Sequence, residues 1–131
     1  EKFNLNVVRS ELSDAKTIFL LASINERPIG YSKSKQNNVP IETDNDKALE
    51  IERLYIFKEY QNKKIGAILI KENIGHAIKN KLETVWLGVW EHNPKAIEFY
   101  ERWGFEVFGK HIFVLGDDPQ NDLLMRKQIK T

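Results

Sequence analysis

The amino-acid sequence predicts one α/β domain of the mixed α+β kind, on three observations. Short β-branched or alternating segments are interleaved with two stretches of helical period, the first helix follows a strand through a glycine-bearing junction, and the second is bracketed by Asn93-Pro94 and Gly104. At 131 residues the chain can bury a core without metal or disulfide staples.

Taken in order, residues 3–16 place Phe3, Leu5, Val8 and Leu12 at mixed helical spacing, which predicts a short helix. Thr17 to Ile24 is β-branched and apolar, and the turn residues from Asn25 to Gly30 lead into Tyr31 to Lys35, so a hairpin is expected. Residues 36–47 are polar and aperiodic and read as a loop. From Leu49 to Phe57 the chain alternates, with Glu50, Glu52, Leu54 and Ile56 on one side and Ile51, Arg53, Tyr55 and Phe57 on the other. Ile65 to Leu82 has the apolar spacing of an amphipathic helix. The nearly continuous apolar run Thr84 to Trp90 suits a strand covered on both faces. Asn93 as N-cap and Pro94 at the first helical position open a helix that carries Ala96, Phe99, Tyr100 and Trp103 on one face. Two strands, Glu106 to Leu115 and Asp122 to Ile129, complete the chain around the turn-forming stretch Gly116 to Gln120.

Composition narrows the chemistry. Twenty Lys plus Arg against nineteen Asp plus Glu give a net charge of +1, so no global field gathers nucleic acid or an anionic membrane. The absence of cysteine removes thiolate nucleophiles and Cys-ligated zinc, and the scattered His76, His92 and His111 have no metal-ligand spacing. No metal is expected. No apolar run approaches the roughly 20 residues that cross a bilayer, and no leader-like segment opens the chain, which reads as cytoplasmic.

Two segments carry the candidate chemistry. Gln61-Asn62-Lys63-Lys64-Ile65-Gly66-Ala67 joins a strand to a helix start, where unpaired N–H groups and the helix dipole attract an anion. Gly66 permits close approach and the two lysines add local positive charge, although many ordinary helix starts share these features. The second segment runs from Asn93 to Phe105; its Phe99, Trp103 and Phe105 read as core, whereas the hydroxyl of Tyr100 needs a polar role if buried.

With both segments in hand, the chain resembles the GNAT N-acetyltransferases. That family's phosphate loop, Gln/Arg-x-x-Gly-x-Gly/Ala, is matched by Gln61 and Gly66, with Lys64 in place of the first glycine. Its second motif, Asn-x-x-Ala-x-x-Phe-Tyr-x-x-x-Gly-Phe, is met at every named position from Asn93 to Phe105. Leu54-Tyr55-Ile56, the stretch Trp86 to Glu91 and the tail Phe113 to Met125 are similar to the bacterial PaiA-type spermidine/spermine N-acetyltransferases.

The resemblance implies a GNAT fold: a mixed, mostly antiparallel twisted sheet, flanked by helices, whose central strands splay apart. It implies acetyl-coenzyme A as cosubstrate, with the pantetheine arm along Leu54, Tyr55 and Ile56. The pyrophosphate would lie on Gln61, Asn62, Lys63, Lys64, Ile65, Gly66 and Ala67, with Asn93 and Ala96 bordering the pantetheine and Arg102 reaching a phosphate. Tyr100 would be the acid that protonates the departing thiolate, and Glu52, or else Glu50, the base that takes the amine's proton through water. The acceptor implied is a small primary amine such as spermidine or spermine, to which Glu42, Asp44, Asp46, Glu50 and Glu52 offer an acidic lining. A protein amino terminus or lysine as acceptor, a non-catalytic module holding coenzyme A, and a homodimer stay open. The chain opens on Glu1 rather than Met, and the family's first strand and helix are expected to lie upstream.

Overall fold

A computed structural model of the chain describes residues 5–11, 16–36, 47–61, 64–115 and 118–129. Strands β1 (Leu5–Glu11), β2 (Thr17–Ile24), β3 (Arg27–Gln36) and β4 (Ala48–Ile56) are followed by helix α1 (Ile65–Lys79). Strand β5 (Thr84–Trp90), helix α2 (Pro94–Arg102) and strands β6 (Glu106–Leu115) and β7 (Asp118–Gln128) complete the order. The seven strands form one sheet in the order β1-β2-β3-β4-β5-β7-β6, antiparallel throughout except for β4 beside β5. This is the GNAT fold that the sequence predicts.

The helix expected over residues 3–16 is instead strand β1, as far as it falls on described residues. Leu5 to Glu11 pairs residue for residue with β2, from Leu5 opposite Ile24 to Glu11 opposite Ile18. Its helical period was weak, and the neighbouring Val7 and Val8 suit a pleated strand that borrows the open edge of β2. The β2–β3 hairpin turns at Asn25 and Glu26, both at positive φ, so its two-residue turn follows the strands' own twist. Among the described residues no helix is long and apolar enough to cross a membrane.

The alternation along β4 is corrected by a β-bulge. Lys33 pairs with Arg53 and Ser34 with Ile51, so Glu52 is the extra residue. The phase of the strand therefore slips at Glu52: Leu49 and Ile51 before it, and Leu54 and Ile56 after it, all turn to the main core. Tyr55 and Phe57 are left exposed.

Helices α1 and α2 pack on one main core. Ile65, Leu69, Ile70 and Ala77 from α1 join Val85, Leu87 and Val89 from β5, and Ala96, Phe99 and Tyr100 of α2, with its C-cap Trp103, pack against the same cluster. Helix α1 is pinned by a buried polar knot: Ser34 Oγ donates to Asn73 Oδ1 (2.6 Å), and Asn73 Nδ2 donates to Ser32 Oγ (3.1 Å) and the Leu69 carbonyl (2.8 Å). On the opposite face Ala48, Trp86 and Leu124 form a smaller cluster with Phe108. The two-sided covering expected of β5 holds from Thr84 to Leu87 and fails at Gly88 and Trp90, which are exposed.

At the far end, β7 begins at Asp118, earlier than the sequence suggests. Residues 118–121 pair with β6 alone, and pairing with β5 starts only at Asp122 opposite Trp90. Pro119 is tolerated there because no second neighbouring strand needs its missing N–H.

Candidate active site

The parallel pairing of β4 and β5 is brief: Ala48 with Thr84, Leu49 with Val85 and Glu50 with Trp86. Beyond Glu50 the two strands separate, which leaves backbone N–H and C=O groups of both facing a gap. A cavity adjoins this gap from each side.

The first cavity, of about 380 Å³, is bordered by the second half of β4 and the starts of both helices. Leu54, Tyr55 and Ile56 line it, as do Gln61, Lys64, Gly66 and Ala67 and, from α2, Asn93, Ala96, Tyr100 and Arg102. Eleven residues expected at a cofactor or proton-donor site thus converge on one space. Ile65 does not join them with its side chain, which is 3% exposed and held in the core by the amphipathic period of α1. Asn62 and Lys63 lie outside the described residues. Lys95 also lines the cavity, as does Phe99, which the sequence reads as core. Lys95 follows Pro94 in the first turn of α2, and the Phe99 ring lies over Gly66, where an added Cβ would approach it to 3.4 Å.

Local chemistry explains these placements. Gln61 Nε2 donates to the Ile56 carbonyl (3.2 Å) and folds the chain back from the end of β4. Lys64 caps α1 at φ 62°, ψ 20°, a left-handed conformation that glycine adopts at least cost, with no side-chain capping bond. The N–H groups at the start of α1 point out of the helix end beside the Lys64 ammonium. Asn93 Oδ1 accepts from the Ala96 N–H (3.3 Å), as expected of the N-cap. At the other end Gly104 is left-handed at φ 89°, and the Phe105 N–H returns to the Tyr100 carbonyl.

Tyr100 stands between Phe99 (5.3 Å between ring centroids) and Phe105 (5.8 Å). Burial raises its hydroxyl above the ordinary 10.0, because the phenolate would be poorly solvated there. The group is therefore a protonated donor at neutral pH.

The second cavity, of about 270 Å³, opens on the sheet face away from the two helices. It is lined by Glu50, Ile51 and Glu52 of β4, Trp86 and Gly88 of β5, His111 of β6, and Asp122 and Leu124 of β7. Glu52 reaches the cavity together with Glu50, as the alternation before the slip expects, and Lys33 Nζ holds the Glu52 carboxylate at 3.5 Å. Glu42, Asp44 and Asp46 lie outside the described residues. Asp122 and His111 join the cavity from outside the expected site, His111 being a lone strand histidine that the sequence gives no catalytic role. The signal was available in the period of two along β7 and the pairing of His111 with Asp122, but only once the register was known.

The two cavities differ sharply in charge. The first is lined by Lys64, Lys95 and Arg102 and by no described carboxylate; the second by Glu50, Glu52 and Asp122 and by no described Lys or Arg. In a chain of net charge +1 this separation is local design, fit for an anion on one side of the gap and a cation on the other.

A splayed parallel strand pair, with a cationic helix start on one side and an acidic cavity on the other, is an arrangement that fits an acyl-transfer domain. The chain belongs to the acetyltransferase (GNAT) family, whose model matches residues 3–105. It is 32% identical over 126 residues, 96% of this chain and 73% of the relative, to an uncharacterised N-acetyltransferase of Lactobacillus delbrueckii subsp. lactis. Over 61 residues, 46% of this chain and 40% of the relative, it is 33% identical to a spermine/spermidine N(1)-acetyltransferase of Bacillus subtilis. Among solved structures, a PaiA N-acetyltransferase from Thermoplasma acidophilum in complex with coenzyme A superposes with a TM-score of 0.69 at 28% identity, covering 88% of this chain and 63% of that one. The protein is an acetyl-coenzyme A-dependent N-acetyltransferase. The first cavity suits that cosubstrate: cations and free helix N–H groups for a pyrophosphate, and Leu54, Ile56, Ala96 and Phe99 for the apolar parts of a pantetheine arm.

Proposed function

We propose that the protein acetylates a primary amine of a polyamine such as spermidine or spermine, by direct attack within a ternary complex. The observation that carries this reading is the charge separation between the two cavities, which suits an acceptor bearing several positive charges. The partial similarity to the Bacillus subtilis spermine/spermidine enzyme supports the same choice.

Bound acetyl-coenzyme A supplies an acetyl group activated as a thioester. Lys64, Lys95 and Arg102, with the N–H groups of residues 65–67, bind its phosphates; Asn62 and Lys63, which lie outside the described residues, belong to the same sequence motif. The edge of β4 that β5 leaves open offers main-chain hydrogen bonds to the pantetheine along Leu54, Tyr55 and Ile56, and Asn93 and Ala96 border it. An alkylamine, with a pKa near the roughly 10.4 of lysine, arrives protonated and must lose a proton to attack. Glu52 takes that proton through water and Glu50 stabilises the neighbouring positive charge; if the roles are exchanged, Glu50→Gln slows turnover more than Glu52→Gln. Tyr100 gives its proton to the departing thiolate.

The test compares thiol release from acetyl-coenzyme A with spermidine, spermine and peptides bearing a free amino terminus or a lysine. A kcat/KM for peptides equal to or above that for the polyamines overturns the acceptor assignment.

A further inference from the structure

The polyamine reading leaves the far wall of the acidic cavity without a role, and one residue there is placed to have one. Asp122 lies on β7, two strands from β4, with β5 between. Its two oxygens are differently engaged. Gln120 Nε2 donates to Oδ1 (3.2 Å), which fixes the plane of the carboxylate. Oδ2 leans over Gly88 of β5, where an added Cβ would stand 3.6 Å from it.

The missing side chain at Gly88 leaves open the floor between Asp122 and the β4 carboxylates, and all of them line one cavity. Along β5, Glu50 pairs opposite Trp86 and Asp122 opposite Trp90, so the two acidic ends are offset by four residues of that strand as well as lying on either side of it. An extended polyamine can lie along that offset, with acidic side chains of the one cavity at both of its ends. Trp86 and Leu124 supply apolar surface along the way. The cavity is thus acidic at both ends and apolar between them.

We propose that Asp122 is a specificity-determining residue that anchors the distal ammonium of a diamine or polyamine whose reacting amine sits at Glu50 and Glu52. The inference rests on the polyamine reading and adds the residue that separates a dication from a monoamine. An ammonium held on a carboxylate in a partly desolvated site gains a charge-assisted hydrogen bond as well as Coulomb attraction. A monoamine has no second charge to place on Asp122 and gains nothing from it.

The experiment measures kcat and KM for 1,4-diaminobutane, spermidine and n-butylamine with the wild type, Asp122→Asn and Asp122→Glu, alongside melting temperatures. The wild type is expected to prefer both polycations to butylamine. Asp122→Asn is expected to lose about tenfold to a hundredfold in kcat/KM for the polycations, mainly through KM, and less than about threefold for butylamine. Asp122→Glu, which keeps the charge, should recover part of the loss and shows that the site still folds. An equal loss for monoamine and diamine, or no loss for either, overturns the assignment of Asp122 while polyamine turnover by the wild type stands. Failure of the wild type to acetylate any of the three amines sinks the polyamine reading, and the role of Asp122 falls with it.

Discussion

Tyr100→Phe separates the hydroxyl from everything else that the side chain does. The ring is held by Phe99 at 5.3 Å and Phe105 at 5.8 Å, and phenylalanine keeps both contacts. Loss of the hydroxyl should therefore change stability by no more than about 1 kcal/mol. If Tyr100 protonates the leaving thiolate, its removal withdraws general-acid catalysis, a factor of about 10²–10⁴ in kcat. At about 1.36 kcal/mol per decade this is roughly 3–5 kcal/mol of transition-state stabilisation. The ground-state complex never uses that proton, so acetyl-coenzyme A affinity should stay within about twofold. Stopped assays of thiol release give kcat, and titration calorimetry gives the affinity. A fall in kcat below about fivefold, or a loss of affinity as large as the loss in kcat/KM, refutes the reasoning and leaves Tyr100 as a wall of the cavity.

Asn73→Ala should cost about 2–4 kcal/mol in urea unfolding, because it strands the buried Ser32 and Ser34 hydroxyls; a loss below about 1 kcal/mol contradicts the knot as described. Lys64→Gly relieves a left-handed lysine at φ 62° by about 1 kcal/mol, partly offset by the freedom glycine adds to the unfolded chain. The melting temperature should hold or rise slightly while coenzyme A affinity falls and becomes less sensitive to salt; unchanged affinity would remove Lys64 from the phosphate site. The raised Tyr100 pKa also has a stability consequence. The folded state holds this proton more tightly than the unfolded one, so the contribution is fully present below pH 10 and is lost as pH rises through 10 towards the folded value. Between pH 9 and about 11 the wild type should lose more stability than Tyr100→Phe; parallel curves would show that the hydroxyl is not desolvated.

Much of the cofactor side was legible because it is written in short, local signals. Asn93, Pro94 and Gly104 fix both ends of α2 through capping chemistry that needs no distant partner. Once α2 is set, its period carries Ala96 and Tyr100 to one face. Gln61, Lys64 and Gly66 likewise sit within a few residues of one turn. Lys64 departs from the family's glycine in the sequence, and the structure gives that position a left-handed backbone carried by a lysine.

The acceptor side was legible only in part: alternation already places Glu50 and Glu52 on one face, whereas the rest of that cavity depends on register. The bulge at Glu52 is a property of β3 and β4 together, and neither sequence alone reveals the slip that turns Leu54 and Ile56 inward. The strand at Leu5–Glu11 exists through pairing with β2, against a weak helical period. Asp122 joins Glu50 and Glu52 only because β7 inserts between β5 and β6, which brings residues some seventy apart in the chain to one cavity. Sequence by itself determined the elements whose causes lie within a few residues: helix caps, turns and the loop beside α1. Tertiary structure decided which faces meet, since strand pairing is a contest between distant backbones whose outcome no local segment contains.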